Sequence, residues 1–301
     1  MSDMSLTPKE VAEYLKIAKN TVYEMIKRGE LQSFKVGRKI RIDKAAVEAL
    51  KQNQPPVIDQ QIRTPAGSGD IIICGQDIIL DILTRCLEAY TPSIRAVRSY
   101  KGSYNGLFSL YHDEVNVATA HLWEGHSNTY NLPYVQKMLP GMDVCIVHLV
   151  KRIQGLYVKK GNPKNITDWV SLQQKGVTMV NREKGSGTRV LLDEKLRILQ
   201  IPKSDIRGYD RIVTSHSAAA SMVCRGMVDT APGSEKGAAL VAGIDFIPLQ
   251  TESYDMIFFK EHKDTSPYQA ILAILNNPEF QEEISGLGGY DISDMGKVIW
   301  E

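Results

Sequence analysis

Asn181-Arg182-Glu183-Lys184-Gly185-Ser186-Gly187-Thr188-Arg189 follows an apolar run, Val177-Thr178-Met179-Val180, and leads into an amphipathic stretch that reaches about Leu199. The order predicts a strand, a tight turn and a helix. A Gly/Ser/Thr turn at a helix start offers unpaired main-chain N–H groups, hydroxyl donors and the positive end of the helix dipole, and so forms an anion site. The turn lacks the Gly-x4-Gly-Lys-Ser/Thr spacing of a nucleotide phosphate loop and the third glycine of a dinucleotide fingerprint.

Two further turns share this chemistry. Gly102-Ser103-Tyr104 sits between a strand-like run and a helix, and Ser215-His216-Ser217-Ala218 precedes another helix. Ser103, Ser186, Thr188 and Ser217 are therefore candidate hydroxyl donors, and each is equally placed to act as a helix cap. Arg182 and Arg189 can supply charge to a bound anion or tie the structure together through a carboxylate. Tyr130 or Asn131 can close over a ligand, and His216 is either a cap neighbour or a contact. A tetrahedral dianion needs many donors and no competing carboxylates, because hydrogen bonds to a charged acceptor contribute roughly 1.5–3 kcal/mol each.

From Asp70 onward strands and helices alternate. Ile71–Cys74, Ile94–Ser99 and Val115–His121 read as strands, Ile78–Tyr90, Tyr104–Tyr111 and Ser217–Val228 as helices. This predicts α/β layers with largely parallel sheets. About 230 residues exceed one such sheet, so two lobes with a cleft between them are expected.

The first 53 residues have a separate character. They carry 11 Lys/Arg against 7 Asp/Glu, while the remainder is slightly acidic within a chain of net charge +1. Thr7-Pro8-Lys9-Glu10 predicts a capped helix, with Val11, Ala12, Tyr14 and Leu15 on its apolar face. Asn20 is expected to cap a second helix that buries Val22, Tyr23 and Ile26 and ends at Arg28-Gly29. Leu31–Val36 and Lys39–Ile42 alternate like a hairpin around Gly37-Arg38, and Asp43 opens a closing helix. Helix, turn, helix and basic hairpin make a winged helix-turn-helix. Lys19, Asn20, Thr21, Tyr23, Lys27 and Arg28 fall on or near its recognition helix; Lys35, Arg38, Lys39 and Arg41 fall on the wing. Most are expected to meet phosphates, with Asn20, Thr21 or Tyr23 nearest to base edges. Residues 54–69, with Pro55-Pro56 and Gly67-Ser68-Gly69, read as a linker.

Several classes lose support. No apolar run approaches the roughly 20 residues of a membrane span, and no basic-then-apolar leader is seen, so the protein is expected in the cytoplasm. Cys74, Cys86, Cys145 and Cys224 are widely spaced and read as reduced thiols. His121 and His126 are five apart and are not a His-Glu-x-x-His metal pair. Ser215-His216-Ser217 places neighbours together, which is no catalytic triad. No enzyme is expected, and no cofactor or metal beyond an oxyanion effector.

Leu6–Ala12, Asn20–Tyr23, Ile26–Leu31 and Val36–Ile42 together resemble the small excisionase-like domains related to the MerR family. Residues from about 70 to 292 resemble the type II periplasmic-binding-protein fold, in its cytoplasmic molybdate-binding-like branch. The stretches that carry this are Gly102–Gly106, His121-Leu122-Trp123 with Tyr130–Pro133, Arg152–Pro163, Asn181–Arg189, Thr214–Ala219, Tyr254-Asp255 and Gly289–Asp291. The resemblance implies two lobes, one of about 70–150 with 254–301 and the other of about 156–250, joined by crossings near 150–158 and 250–256. It departs from the family at Cys74-Gly75-Gln76-Asp77, where relatives often offer Ser or His, and at Ser127-Asn128-Thr129, where they often carry Thr-Gly-Glu. The combined expectation is a one-component regulator, a homodimer on a double-stranded operator. It would sense a small anionic ligand, molybdate or tungstate by resemblance, or else another anion or organic metabolite.

Overall fold

Thr7 and Glu10 complete each other's hydrogen bonding at the first helix. The Thr7 N–H and hydroxyl donate to Glu10 Oε2 at 2.6 and 2.8 Å, and the Glu10 N–H donates back to Thr7 Oγ1 at 3.3 Å. This reciprocal cap fixes the start of α1 (Pro8–Leu15), which lies between β1 (Ser5–Leu6) and α2 (Lys19–Lys27). β2 (Ser33–Val36) and β3 (Lys39–Asp43) follow, with β3 central and antiparallel to both β1 and β2. Val11, Ala12, Val22, Leu31, Ile42 and Val47 form the core beneath them. The computed structural model describes residues 5–15, 19–27, 31, 33–36, 39–44, 47 and 70–300. The expected breaks at 16–18 and Arg28-Gly29, the Gly37-Arg38 turn, most of the closing helix and the linker 54–69 lie outside these residues. Within them, α2 begins at Lys19, so Asn20 stands in the first turn rather than at the cap. Tyr14 and Tyr23, expected on buried faces, each leave 40% of their surface exposed.

The chain divides into two compact units, Met1–Ala66 and Gly67–Glu301. The second opens with β4 (Asp70–Cys74), α3 (Ile78–Tyr90), β5 (Arg95–Ser99), α4 (Ser103–Tyr111) and β6 (Val117–Ala120). These are parallel units, since β4 pairs with both β5 and β6 in parallel register. Asp77 caps α3 by accepting from the Ile79 N–H at 2.9 Å, which is why the helix starts immediately after an acidic residue. A hairpin of β7 (Trp123–Glu124) and β8 (Thr129–Tyr130) packs on the second lobe's core, and the short α5 (Leu132–Met138) completes the first lobe's outbound half.

β9 (Val144–Lys159) then runs from the first lobe into the second. That lobe is built from β10 (Asn181–Arg182), α6 (Gly187–Ile198), β11 (Ile212–Val213), α7 (His216–Cys224), β12 (Thr230–Ser234) and α8 (Glu235–Ala239). β13 (Ile244–Phe259) returns, followed by α9 (Ser266–Leu275), α10 (Pro278–Gly286) and the edge strand β14 (Val298–Trp300). β9 and β13 pair antiparallel along their whole length, from Ile244 opposite Lys159 to Phe259 opposite Val144. They are the two crossings expected near 150–158 and 250–256. One seven-stranded sheet, ordered β12-β9-β13-β6-β4-β5 with β14 on β9, therefore spans both lobes. Apolar cores lie on the faces of this sheet in each lobe.

Three expectations change. The sheet is mixed rather than largely parallel, because the paired crossings impose antiparallel neighbours on everything beside them. Val177–Val180 is no strand: its Met179 N–H donates to the Arg207 carbonyl at 2.8 Å, and Met179 makes only an isolated bridge to Thr230. Pairing begins two residues later, with Asn181-Arg182 parallel to Ile212-Val213. The helix expected to reach Val228 stops at Cys224, where Gly226 turns to φ +69 and the Gly226 and Met227 N–H groups donate back to Val223 and Met222, a left-handed helix stop.

Gly155 on β9 faces Pro248 on β13 and Gly233 on β12. A Cβ there would lie 2.0 Å from the Ile247 carbonyl oxygen, so no side chain fits without parting the crossings. Gly155→Ala is expected to lower the unfolding free energy by about 1–3 kcal/mol, the usual cost of overpacking, measured as a shifted urea midpoint.

Candidate functional site

Where the lobes meet, the ends of several elements enclose a polar cavity of about 20 Å³. One water needs roughly 10–15 Å³ on this measure, so the space as it stands is that of one or two waters. From the first lobe come the loop after β4 (Gly75, Gln76), the start of α4 (Lys101, Gly102, Ser103) and the end of β6 (Thr119, His121). From the second come Arg182 of β10, the start of α6 (Ser186, Gly187, Thr188) and His216 at the start of α7. Arg152 of β9 and Tyr254 of β13 form the floor. The first turns of three helices thus face one point, and the lining holds two arginines, a lysine and two histidines with no carboxylate.

A carboxylate does sit just behind this wall. Glu252, fully buried on β13, accepts from Arg152 Nε at 2.6 Å and Gln154 Nε2 at 3.0 Å, and bonds to His121 Nδ1 at 2.7 Å. Arg152 also pairs with Asp77, packs over the Tyr254 ring at 4.2 Å, and so joins both crossings to the cap of α3. Tyr290 donates to the other Asp77 oxygen at 2.8 Å. Burial opposes the Glu252 charge, but His121 and Arg152 beside it hold its pKa down to about 2. Burial likewise opposes the Arg152 charge, and Glu252 and Asp77 outweigh it, raising its pKa. Glu252 therefore neutralises and orients the wall without presenting oxygen to the cavity.

Of the residues read from the sequence, Ser103, Arg182, Ser186, Thr188 and His216 line this cavity. Ser186 is also a helix cap, accepting from the Arg189 N–H at 3.3 Å and donating to the Glu183 carbonyl at 3.0 Å. Ser103 Oγ accepts from the His121 N–H at 3.2 Å, and Thr188 donates to Gln154 at 3.2 Å. Arg182, nearly inaccessible, is held by Glu183 at 2.9 Å, the Thr214 carbonyl at 3.2 Å and, across the cleft, Gln76 at 2.8 Å. Burial together with Arg182, Arg152 and His121 pushes the His216 ring well below its usual pKa, a mark of the positive potential in the cavity.

Four candidates lie outside this inner cavity. Arg189 is fixed within its lobe by Asp193 at 3.1 Å, the Arg182 carbonyl at 3.2 Å and the Tyr209 hydroxyl at 2.8 Å. Asn131, at φ +59, joins the Leu122 N–H at 2.7 Å to Asp255 at 2.6 Å and braces the loop behind His121. Tyr130 packs against the second lobe's core, its hydroxyl buried without a partner. Ser217 is exposed and bonds Ser215 at 3.1 Å; Ser215 caps α7, and Ser217 borders a wider outer space.

Gln76, Lys101, Thr119, His121, Arg152 and Tyr254 line the cavity without having been singled out as contacts. A signal existed for Arg152: in the run Val144–Val158, His148, Lys151, Arg152 and Gln154 are polar residues inside an otherwise apolar strand, and such residues need partners where they are buried. His121 was weighed only as a metal ligand. In the head, Lys19 is exposed with its Nζ 5.8 Å from the Tyr23 ring centroid, and Arg41 is partly exposed on β3. Asn20, Thr21 and Lys27 lie on α2, Lys35 on β2 and Lys39 on β3, with side chains outside the described set; Arg28 and Arg38 lie wholly outside it.

A two-lobed cleft domain that follows a helix-turn-helix domain along the chain defines a class: domains of the periplasmic-binding-protein kind fused to a helix-turn-helix module. The chain belongs to the PBP superfamily, whose domain model matches residues 85–276, and a helix-turn-helix domain model matches residues 5–55. It is 41% identical over 309 residues to the protein YvgK of Bacillus subtilis (strain 168), covering 99% of this chain and 98% of YvgK. Among solved structures it resembles a proposed substrate-binding protein of a phosphate ABC transporter, with bound phosphate, from Clostridium perfringens. That match has TM-score 0.56 and 14% identity, over 74% of this chain and 98% of the other. It also resembles a peroxide-bound variant of Corynebacterium glutamicum OxyR (TM-score 0.53, 11% identity, 93% and 89% coverage). At these identities the likeness is one of fold. The pairing of domains fits a one-component regulator, and no helix among the described residues is long and apolar enough to cross a membrane.

A lowered histidine pKa has a definite sign in stability. Below the ordinary value of 6.5, the unfolded chain takes up a proton that folded His216 refuses, so stability falls as pH drops through that range. His216→Asn should flatten this loss in denaturation midpoints taken at stepped pH.

Proposed function

We propose that this protein is a cytoplasmic one-component transcriptional regulator that binds operator DNA through its head and a small, fully deprotonated oxyanion in the cleft, molybdate or tungstate. The observation that carries the reading is the cationic lining without a carboxylate at the convergence of three helix starts. Sulfate, molybdate and tungstate carry no proton near neutral pH and ask only for donors. Inorganic phosphate retains a proton, which needs an acceptor, and a carboxylate would supply the strongest one. The choice of molybdate or tungstate within this class rests on the sequence resemblance.

Closure is the natural route from ligand to DNA. The lobes touch through the Tyr104 N–H to the Gly185 carbonyl at 2.9 Å, and through Gln76 and Arg182. A Cβ on Gly102 would lie 2.7 Å from Ser186 Cα, so the approach depends on glycine. An anion that bonds to both lobes favours this closed arrangement by its differential affinity. In a homodimer, closure would alter the spacing of the two heads and hence of the half-sites they match.

Titration calorimetry with molybdate, tungstate, sulfate and phosphate tests the reading; heat is expected from molybdate and tungstate, and silence from all four ends the oxyanion proposal. Ser186→Ala with Thr188→Ala should weaken binding by about tenfold or more, provided that the two hydroxyls turn from their present acceptors, the Glu183 carbonyl and Gln154, to the charged guest, while DNA affinity without ligand stays near wild type. A bound dianion would raise the His216 pKa, so sulfate affinity should increase as pH falls. His216→Asn should abolish that slope.

A further inference from the structure

The polar cavity is only the inner part of the cleft. Beside it lies a chamber of about 770 Å³, inside the roughly 300–1,000 Å³ range of organic-ligand sites. The two spaces share Gln76, Lys101, Gly102 and His216, so a guest held in the first can extend past these residues into the second.

The chamber walls differ in kind from the cavity. Ile78, Tyr100 and Leu240 leave 50%, 64% and 74% of their surfaces exposed, and Leu287 and Tyr290 add further apolar lining. The charged groups among them are already engaged. Asp77 is held by Arg152 and Tyr290, and Glu183 by Arg182. Lys101 donates to Ser109 and Glu114 at 2.7 Å. Lys236 donates to the Leu287 carbonyl and lies 5.3 Å from the Tyr290 ring centroid. Asn105, Thr214, Ser215 and Ser217 add uncharged polar groups along one side, but Ile78, Tyr100 and Leu240 offer apolar contact that a bare inorganic ion would leave in water.

We propose that the cleft is a two-part site that also admits, as an alternative to the bare oxyanion, an organic phosphate monoester with a mostly apolar body. The terminal oxygens enter the cationic cavity, the ester oxygen passes the residues shared by the two spaces, and the body lies against Ile78, Tyr100 and Leu240. This rests on the anion reading of the inner cavity and names the class of molecule that fills the whole cleft. The charge state agrees. A monoester loses its last proton at a pKa of about 6, so above that pH its terminal oxygens present only acceptors to the inner cavity, which holds no carboxylate; Asp77 and Glu183 of the chamber are paired with Arg152 and Arg182.

The test is calorimetry on the full chain with phenyl phosphate, methyl phosphate and molybdate. Phenyl and methyl phosphate share one dianionic head and differ in the body. Phenyl phosphate should bind at least about tenfold more tightly, as expected from hiding a ring from water, and Ile78→Ser with Leu240→Ser should erase that advantage. Leu240→Ser alone, at a largely exposed position, should reduce it and guards against a folding defect in the double variant. Equal affinities for the two esters, or an advantage that survives both substitutions, would overturn the proposal. If molybdate still binds in that case, the inner-cavity reading stands. Silence from all three ligands removes both.

Discussion

Arg152 and Glu252 face each other across the two long strands that join the lobes, and the cleft is organised around that contact. Both side chains are out of water, so each charge carries a desolvation cost that a single pairing would offset poorly. Here the pairing is extended: Asp77 takes the other side of the guanidinium, while His121 and Gln154 occupy the remaining positions on Glu252. The cluster thereby ties together the cap of α3, the end of β6 and both crossings. It sits on the paired crossings between the lobes, and Arg152 and His121, which it holds, face the cavity. Its net effect is a wall of donors whose counter-charge is hidden behind them.

Close contact between the lobes depends on missing side chains. Gly102 lies against the Ser186 main chain, Gly187 leaves the His121 ring its place, and Gly185, at φ +92, passes Asn105. A Cβ at any of these positions would fall within 3 Å of its neighbour. The glycines of the Asn181–Arg189 stretch therefore serve two ends. They expose main-chain donors at a helix start, and they let the opposite lobe approach until both surfaces can reach one guest. The departure at Cys74–Asp77 belongs to the same interface, because Gln76 supplies the bond to Arg182. The departure at Ser127–Thr129 does not reach it: that segment makes the β7–β8 turn, where Ser127 bonds to Glu124 and Asn128 to Trp123.

The inner cavity and the outer chamber divide recognition in the usual way of small-molecule sites, with a few polar groups setting orientation and apolar walls supplying contact. His216 stands at the boundary of the two. Burial first, and then the neighbouring Arg182, Arg152 and His121, depress its pKa, and those same positive groups suit an anion.

Local chemistry was readable from the chain alone. The Thr7–Glu10 cap, the helix at Ile78–Tyr90, the helix after Ser186 and the apolar strands beside them follow from short-range periodicity and capping, which act within a few residues. The three Gly/Ser turns were legible for the same reason, and so Ser103, Arg182, Ser186, Thr188 and His216 could be named. Tertiary structure alone decided where Arg189, Asn131, Tyr130 and Ser217 went: Asn131 reaches Asp255, 124 residues on, and Tyr130 packs into the second lobe's core, contacts that no spacing reveals. It also decided the mixed sheet and the place of Arg152 and Glu252, separated by 100 residues. Pairing of that kind is set by register between distant strands and by the demand that buried charge find a partner, and neither is encoded in any short window of sequence.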